Sequence, residues 1–244
     1  MKILITNDDG NLKPGIHHLI EVMKKFGEVF VVCPDQDQSG TSHSLTLHEP
    51  LKYQELKENH YVVSGTPADC VHFALHHLWS KDHFDLCVSG INHGANIGDD
   101  VWYSGTVGGA IEAALNRIPS MAISMLPNEE KEYNFPAAKD FLTTWMKKHI
   151  DALWEQGVVP NMNIPAYFTK DAYQWTRLGP KRYLSHIDVR EDPRGNSYFW
   201  IGGTLDDLGS DHGTDSYVLA QKQVSITPLS LDLTHLPTLR KLTT

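Results

Sequence analysis

The sequence predicts an α/β fold: a Rossmann-like, doubly wound and mostly parallel sheet with a protruding C-terminal β-hairpin. Short apolar segments of strand length alternate with helical patterns through the first half of the chain. Such alternation typically gives a parallel sheet covered by helices on both faces. The length of 244 residues is enough for one domain with a substantial core. We therefore predict a single α/β domain over residues 1–244.

The individual elements follow from the spacing of the apolar residues. Strands are predicted at residues 2–6, 29–33, 61–63, 84–88 and 121–125, and helices at 15–26, 67–79, 106–116 and 135–154. Pro67 suits the first turn of the second helix, because proline lacks the N–H that this turn leaves unpaired. Residues 223–228 predict a late strand that returns to the main sheet.

The protruding hairpin is predicted at residues 175–203. Strand patterns at 175–178, 183–189 and 197–201 lie before and after a turn at 194–196. The arms mix aromatic residues with charged ones, the aromatics including Tyr183, Tyr198, Phe199 and Trp200, and a lone hairpin cannot bury such residues on itself. Two interpretations stay open: the hairpin folds back onto its own domain, or it packs on another subunit and makes the protein an oligomer.

Composition excludes several classes of partner. The net charge of −9 argues against a nucleic-acid polymer or an anionic membrane, since both require a clustered basic surface. It does not exclude a small phosphate ester. Cys33, Cys70 and Cys87 lie in or beside apolar segments without zinc-type spacing, which indicates buried reduced thiols. With no signal-peptide core and no apolar run of membrane-spanning length, we expect a cytoplasmic protein.

Two adjacent carboxylates follow the first predicted strand. Asp8 and Asp9 stand in the segment Asn7-Asp8-Asp9-Gly10, at the strand end where open α/β sheets place their ligands. Neighbouring carboxylates repel each other unless a cation lies between them, and carboxylate oxygens suit Mg²⁺ or Mn²⁺. The alternative is a plain turn or helix cap, because this segment also has turn chemistry.

Two further loops follow predicted strands. Residues 35–44 place Ser39 and other hydroxyls at a second strand end; this is a solvated loop unless it is drawn to the same metal. The second loop, residues 89–106, is rich in Gly and Asn, and at its end Ser104, Gly105 and Thr106 begin a helix. Free N–H groups and the helix dipole favour a phosphate at such a helix start. The alternative is a simple N-cap, although long Gly/Asn loops at strand ends usually carry function.

The remaining motifs narrow the chemistry. His43 and His93 lie in these two loops, where either could contact a phosphate or protonate a leaving group. Neither a Walker A pattern nor a GxSxG elbow is present, which argues against P-loop and acyl-transfer enzymes. A dehydrogenase or glycosyltransferase is disfavoured because no GxGxxG follows the first strand.

The ordered motifs are NDDG at 7–10, Ser39-Gly40, SGTPADC at 64–70, SGINHGANIGDD at 89–100, YSGTVGGA at 103–110 and VSITPL at 224–229. Together they resemble the stationary-phase survival protein family, SurE, over nearly the whole chain. The resemblance implies a metal-dependent 5'/3'-nucleotidase with acid phosphatase activity. It also implies a Rossmann-like core, a protruding hairpin, and homodimers or homotetramers built through swapped C-terminal elements.

By this resemblance, the ligands of one divalent metal ion are Asp8, Asp9, Ser39 and Asn92, and the phosphate-side residues are Asn96, Ser104, Gly105 and Thr106. Two positions depart from the family pattern: Asn11, where many relatives carry an apolar residue, and Gln38, where some carry arginine. The expected reaction is hydrolysis of a nucleoside monophosphate to nucleoside and phosphate, with Asp8 or Asp9 as the proton acceptor. The alternative is a non-catalytic module that senses a nucleotide or phosphate.

Overall fold

The computed structural model describes residues 1–150, 157–180, 183–205 and 211–243. The strands are β1 (Lys2–Thr6), β2 (Glu28–Pro34), β3 (Tyr53–Lys57), β4 (His60–Val63), β5 (Leu86–His93), β6 (Ser120–Met125), β7 (Val158–Ile164), β8 (Tyr173–Trp175), β9 (Tyr183–Glu191), β10 (Ser197–Leu205) and β11 (Val224–Ser230). The helices are α1 (Pro14–Met23), α2 (Pro67–Phe73), α3 (Gly105–Leu115), α4 (Phe135–His149), α5 (Asp215–Ala220) and α6 (Leu236–Leu242).

Nine of these strands form one mixed sheet in the order β3-β4-β2-β1-β5-β6-β7-β11-β8. The pairs from β4 through β2, β1, β5 and β6 to β7 are all parallel. Strand β11 runs antiparallel to β7, and β3 runs antiparallel to β4. The carboxyl ends of β1, β5, β6 and β7 therefore meet at one edge of the sheet. The predicted Rossmann-like, mostly parallel architecture is confirmed.

Helices cover both faces because β1 alternates its side chains between two cores. Ile3 and Ile5 pack in a cluster with residues of α1 and α4. Leu4, between them, packs on the other face in a cluster that includes residues of α2, while α3 packs on β6 and β7 through a third cluster. The sheet is therefore doubly wound, as the sequence predicts.

Several elements differ from their predicted bounds. The helix predicted at 67–79 is α2 followed by one π-helical turn, Ala74–Leu78. Strand β5 continues beyond the predicted end at residue 88 and delivers Asn92 and His93 to the sheet edge. Gly90 permits this extension, because its φ is +137° and a Cβ there would lie 2.2 Å from the Ile123 carbonyl oxygen on β6. The helix predicted to residue 154 is described as far as His149, and residues 151–154 lie outside the described ranges.

The hairpin is a separate two-stranded sheet of β9 and β10. It begins at Tyr183 rather than at the predicted residue 175, because Tyr173–Trp175 pairs in parallel with β11 in the main sheet. The described side chains of the hairpin are largely exposed, so the described part of the hairpin does not bury itself on its own domain. Among the helices in the described ranges, none is long and apolar enough to cross a membrane.

His60 is a buried histidine at the start of β4, only 3% exposed. Its Nε2–H donates to Asn11 Oδ1 at 2.7 Å. Its Nδ1 is buried without a hydrogen-bond partner among the described residues, so a proton added there would have no described acceptor. Burial, with smaller contributions from the charges of Lys57 and His17, lowers the pKa of His60 to about 4.

This histidine makes the stability of the fold depend on pH. The unfolded chain binds a proton at His60 near pH 6.5 and the folded chain only near pH 4, so the free energy of unfolding falls as the pH drops between these values. The shift corresponds to about 3 kcal/mol at most. Denaturant titrations from pH 7 to pH 4.5 should show a shallower fall for His60→Gln than for the wild type.

The control variant is His77→Gln, which changes an exposed histidine and should fall as steeply as the wild type. An equally steep fall for His60→Gln would show that other groups cause the acid sensitivity.

Candidate active site

The two carboxylates lie in a tight turn directly after β1. Asn7 Nδ2 donates to the Gly10 carbonyl oxygen at 3.0 Å and closes this turn. Asp8 and Asp9 between them are buried, at 3% and 8% exposed. The turn therefore fixes two acidic side chains side by side at the carboxyl edge of the sheet, where the strand pattern predicts them.

Asp8 is held by the first turn of α3. Thr106 Oγ1 donates to Asp8 Oδ1 at 2.5 Å. Burial raises the pKa of Asp8 to about 6, and the charge of Asp9 adds to this effect, whereas the hydrogen bond from Thr106 opposes it. A raised carboxyl pKa marks a place where negative charge is poorly compensated by the protein alone. A bound cation would supply that compensation.

Asp9 is held by the end of β5. Its Oδ2 accepts the backbone N–H of His93 at 3.0 Å and the ring Nδ1–H of His93 at 2.7 Å. Among the described residues, the recorded ion pairs join neither Asp8 nor Asp9 to a lysine or arginine. His93 thus orients one carboxylate oxygen of Asp9. This contact was not predicted; the sequence suggested a phosphate or leaving-group contact for His93 instead.

The start of α3 lies against Asp8. A Cβ at Gly105 would lie 2.9 Å from Asp8 Cβ and 3.0 Å from Thr41 Oγ1, so only glycine allows this approach. Ser104 Oγ accepts the Val107 N–H at 3.0 Å and is the N-cap of the helix. The helix start therefore combines the two interpretations of its sequence: it is capped by Ser104 and it reaches the paired carboxylates through Gly105 and Thr106.

The loop that carries Ser39 contacts the turn that carries Asp8 and Asp9. The backbone N–H of Gln38 donates to the Asp8 carbonyl oxygen at 2.8 Å. Further along, the Ser42 N–H donates to the Tyr103 carbonyl oxygen at 3.0 Å. Ser39 itself is exposed, and its hydroxyl donates to Asp37 Oδ1 at 2.6 Å. The backbone of this loop is therefore attached to the turn that carries Asp8 and Asp9, and a metal contact of Ser39 stays a prediction.

The two predicted asparagines differ in their surroundings. Asn92 precedes His93 on β5, and its Nδ2 donates to the Gly94 carbonyl oxygen at 2.9 Å. Asn96 is buried, and its Nδ2 donates to Ser124 Oγ at 2.8 Å. The backbone of Asn96 is held by Asn163, whose Oδ1 accepts its N–H at 2.8 Å. Among the described contacts, those of Asn96 run to β6 and β7 rather than to Asp8 or Asp9.

Some residues that support the site were not predicted. Asp215 on α5 is fully buried and accepts the Gly98 N–H at 2.8 Å and the Gly179 N–H at 2.9 Å. Asn161 and Asn163 on β7 both donate to the Asn96 carbonyl oxygen. Their spacing of two residues, which places both on one face of a strand, is the signal that could have found them.

The donor set fits a hard divalent cation. In the described part of the chain, no group of three or more His, Cys, Asp or Glu side chains is arranged to hold a metal. The predicted set instead contains two carboxylates, a hydroxyl and a side-chain amide, which are oxygen donors of the kind that Mg²⁺ and Mn²⁺ prefer. The buried Asp8–Asp9 pair, with the pKa of Asp8 raised, supplies the uncompensated charge that such an ion would neutralise.

Comparison with known proteins agrees with this architecture. Residues 3–185 match the family model described as "Survival protein SurE". The chain is 42% identical over 246 residues to the 5'-nucleotidase SurE of Pelobacter propionicus, with 100% of this chain and 99% of the relative covered. It is 40% identical to the 5'-nucleotidase SurE of Vibrio parahaemolyticus, covering 98% of this chain and 92% of the relative.

The chain belongs to the SurE family. A solved relative, the SurE protein from Aquifex aeolicus, superposes with a TM-score of 0.85 at 36% identity and covers 100% of this chain and 98% of that one. The departures from the family pattern have structural partners here. Asn11 accepts the hydrogen bond from His60, and Gln38 contacts Asp8 through its backbone N–H, a bond that any residue but proline could form.

A buried carboxylate anchors the Ser39 loop to α3. Glu112 is 5% exposed; its Oε2 lies 2.7 Å from His43 Nε2, in that loop, and its Oε1 lies 3.0 Å from His72 Nδ1, on α2. Burial raises the pKa of Glu112, but the hydrogen bonds from the two histidines outweigh it and leave the pKa below its ordinary value. The loop is therefore held at His43 as well as at Gln38.

Removing this anchor should loosen the loop. A hydrogen bond to a charged group contributes about 1.5–3 kcal/mol, so Glu112→Gln should accelerate amide hydrogen exchange at Gln38 and Ser42 by about tenfold or more. His72→Gln is the matched control, because it removes the other partner of Glu112 and leaves the His43 contact. Equal acceleration in both variants would contradict an anchoring role through His43.

Proposed function

We propose that this protein is a divalent-metal-dependent phosphomonoesterase that hydrolyses nucleoside 5'- and 3'-monophosphates to nucleoside and phosphate. The observation that carries the proposal is the buried Asp8–Asp9 pair, met by the N-terminal turn of α3 through Thr106. The relatives named 5'-nucleotidase SurE support a nucleotidase activity. Activity on both 5'- and 3'-monophosphates, and acid phosphatase activity, are what the family resemblance implies.

In this proposal, the ion is held by Asp8, Asp9, Ser39 and Asn92. Mg²⁺ or Mn²⁺, when bound, neutralises negative charge and acts as a Lewis acid toward a phosphoryl oxygen. The N-terminal turn of α3, at Gly105 and Thr106, stabilises negative charge on phosphate oxygens through the helix dipole and its N–H groups. Asn96 and the Ser104 hydroxyl complete the phosphate side.

The protein's own contacts prepare the carboxylates for this role. Thr106 fixes Oδ1 of Asp8, and His93 fixes Oδ2 of Asp9, so neither side chain must be ordered when the substrate arrives. In this proposal, Asp8 or Asp9 also accepts the proton of the attacking water. Because both are assigned to the metal, direct attack by water is favoured over a covalent aspartyl-phosphate.

The cysteines support a role in the reducing cytoplasm. Cys33, Cys70 and Cys87 are buried and free. Burial raises the pKa of each thiol above its ordinary value, which keeps them unreactive. The chain therefore stays chemically inert at these positions without disulfides, as suits a protein kept in a reducing compartment.

The central test is Asp9→Asn. Losing one carboxylate charge removes several kcal/mol of metal binding and charge stabilisation, so phosphate release from AMP should fall by about 100-fold or more at saturating Mn²⁺. Titration calorimetry should show weaker Mn²⁺ binding. Ser39→Ala should have a smaller effect, since its contact is neutral. Asp140→Asn, an exposed helix position, is the control.

A chelator added to the wild type should abolish phosphate release. Unchanged turnover in Asp9→Asn at saturating metal would refute this metal site. Saturable AMP binding without any phosphate release from the wild type would point to a non-catalytic sensor instead.

We further propose that the hairpin builds a homodimer or homotetramer. In the ladder, Val189 is opposite Phe199 and Ile187 is opposite Ile201, so these four side chains share one face. Each is 52–80% exposed. An apolar face of this kind on a projecting hairpin is typical of a surface that another subunit covers.

A single charge on this face should break the assembly. Phe199→Asp places a carboxylate in the apolar face and should lower the molar mass measured by light scattering to that of a smaller species. Tyr198→Asp is the matched control, because Tyr198 is opposite Arg190 on the other face and should leave the mass unchanged. A monomeric wild type, or an unchanged mass for Phe199→Asp, would contradict the assigned interface.

A further inference from the structure

A cavity of about 300 Å³ lies beside the paired carboxylates. It is formed by the segments that follow β6 and β7, with Asn128, Glu132 and Tyr133 from the first segment and Ala166 and Tyr167 from the second. Both strands end at the same edge of the sheet as β1 and β5. The cavity is therefore next to the site along the edge where α/β sheets bind ligands.

One imidazole ring separates this cavity from Asp9. The Tyr133 ring, in the cavity wall, packs edge-on against the His93 ring with 4.7 Å between centroids. His93 in turn lies 2.7 Å from Asp9 Oδ2 through its Nδ1. A small ligand whose phosphoryl group lies at Asp8 and Asp9 therefore has its remaining part within reach of this cavity.

The chemistry of the lining selects the kind of group that fits. Two tyrosines, two asparagines and a glutamate contribute, and the described residues that line the cavity include no lysine, arginine or histidine. A second phosphate would meet only neutral and negative side chains. A flat, neutral ring with hydrogen-bonding edges fits such a lining, since aromatic faces stack on it and amides pair with its edge.

The lining is already ordered. Asn128 Oδ1 accepts the Glu132 N–H at 2.7 Å, and the Asn128 N–H donates to the Glu132 carbonyl oxygen at 2.9 Å. Asn128 Nδ2 donates to the Tyr167 hydroxyl at 3.2 Å. Tyr167 is 59% exposed, so its ring is oriented by Asn128 while much of its surface stays open to a ligand. Such pre-organisation lowers the entropic cost of binding.

We propose that this cavity binds the nucleobase of the substrate, with Tyr167 stacking on the base and Tyr133 forming the wall next to the phosphate site. This assignment rests on the proposed nucleotidase function and makes Tyr167 a specificity-determining residue. If the cavity binds the base, nucleotides bind better than phosphate esters that carry no base. Residues of the metal site act on the phosphoryl group of both kinds of substrate alike.

The test compares AMP with ribose 5-phosphate, which has the same kind of ester but no base. Stacking of a base on an aromatic side chain contributes about 1–3 kcal/mol, so Tyr167→Ala should raise KM for AMP by about tenfold and change kcat little. Its kcat/KM for ribose 5-phosphate should stay within about twofold of the wild type. Tyr167→Phe keeps the ring and should retain most of the AMP preference.

Tyr53→Ala is the matched control, because Tyr53 is similarly exposed, at 55%, and lies on β3 at the far edge of the sheet. It should change neither substrate. An equal loss of kcat/KM on AMP and ribose 5-phosphate in Tyr167→Ala, or no change on AMP, would overturn the base-binding role.

Adenosine binding, measured by titration calorimetry, separates this proposal from the proposed function. Adenosine binding that Tyr167→Ala weakens, in a wild type that releases no phosphate, would support the base site and refute the nucleotidase. Phosphate release from AMP that is indifferent to Tyr167 would support the nucleotidase and refute the base site. A wild type that neither binds adenosine nor releases phosphate would refute both.

Discussion

The site depends on the burial of two adjacent carboxylates in one turn. Desolvation and mutual repulsion both disfavour this arrangement, and the raised pKa of Asp8 reflects them. Hydrogen bonds compensate part of this cost: the Thr106 hydroxyl donates to Asp8, and two N–H groups of His93 donate to Asp9. These contacts bring the start of α3 and the end of β5 to the end of β1. The geometry of the whole sheet edge thus follows from the need to stabilise these two side chains.

The loops around this pair are anchored by buried groups even where their own side chains are exposed. The Ser39 loop is held on one side by the Asp8 carbonyl oxygen and on the other by Glu112 through His43. The loop after β5 is held by Asn163 and by Asp215. Each anchor is a buried polar group whose hydrogen bonds are satisfied, and such groups fix one conformation. Exposed side chains can therefore be placed accurately by buried neighbours.

The sequence predicts the parts of the fold whose apolar residues are periodic. Strands β1, β2, β5 and β6 and the four main helices follow from this signal, and Asp8 and Asp9 follow from being at the end of β1. Strand β7 was missed, because Pro160, Asn161 and Asn163 interrupt its apolar pattern. Those asparagines are buried and donate to the Asn96 carbonyl oxygen, a partner that their spacing along the strand does not identify.

The contact between His93 and Asp9 was beyond the sequence for the same reason. The two residues are 84 positions apart, and the sequence around either one does not indicate that the other is its partner. A histidine in a glycine-rich loop suggests a catalytic or phosphate-binding role, but its orientation depends on which side chain faces it across the sheet edge. Local patterns therefore find candidate residues, whereas their roles require the packing of parallel strands.

The charge balance of the protein explains why a metal suits this site better than basic side chains. The chain carries a net charge of −9, yet the proposed substrate is an anion. Positive potential must therefore be local, and the described contacts of Asp8 and Asp9 supply it through N–H groups, a helix N-terminus and one histidine. A divalent ion would add the charge that these groups lack, and the two carboxylates would hold it. The described lining of the adjacent cavity has no cationic side chain, so this cavity would favour the neutral end of the proposed substrate over its phosphoryl group.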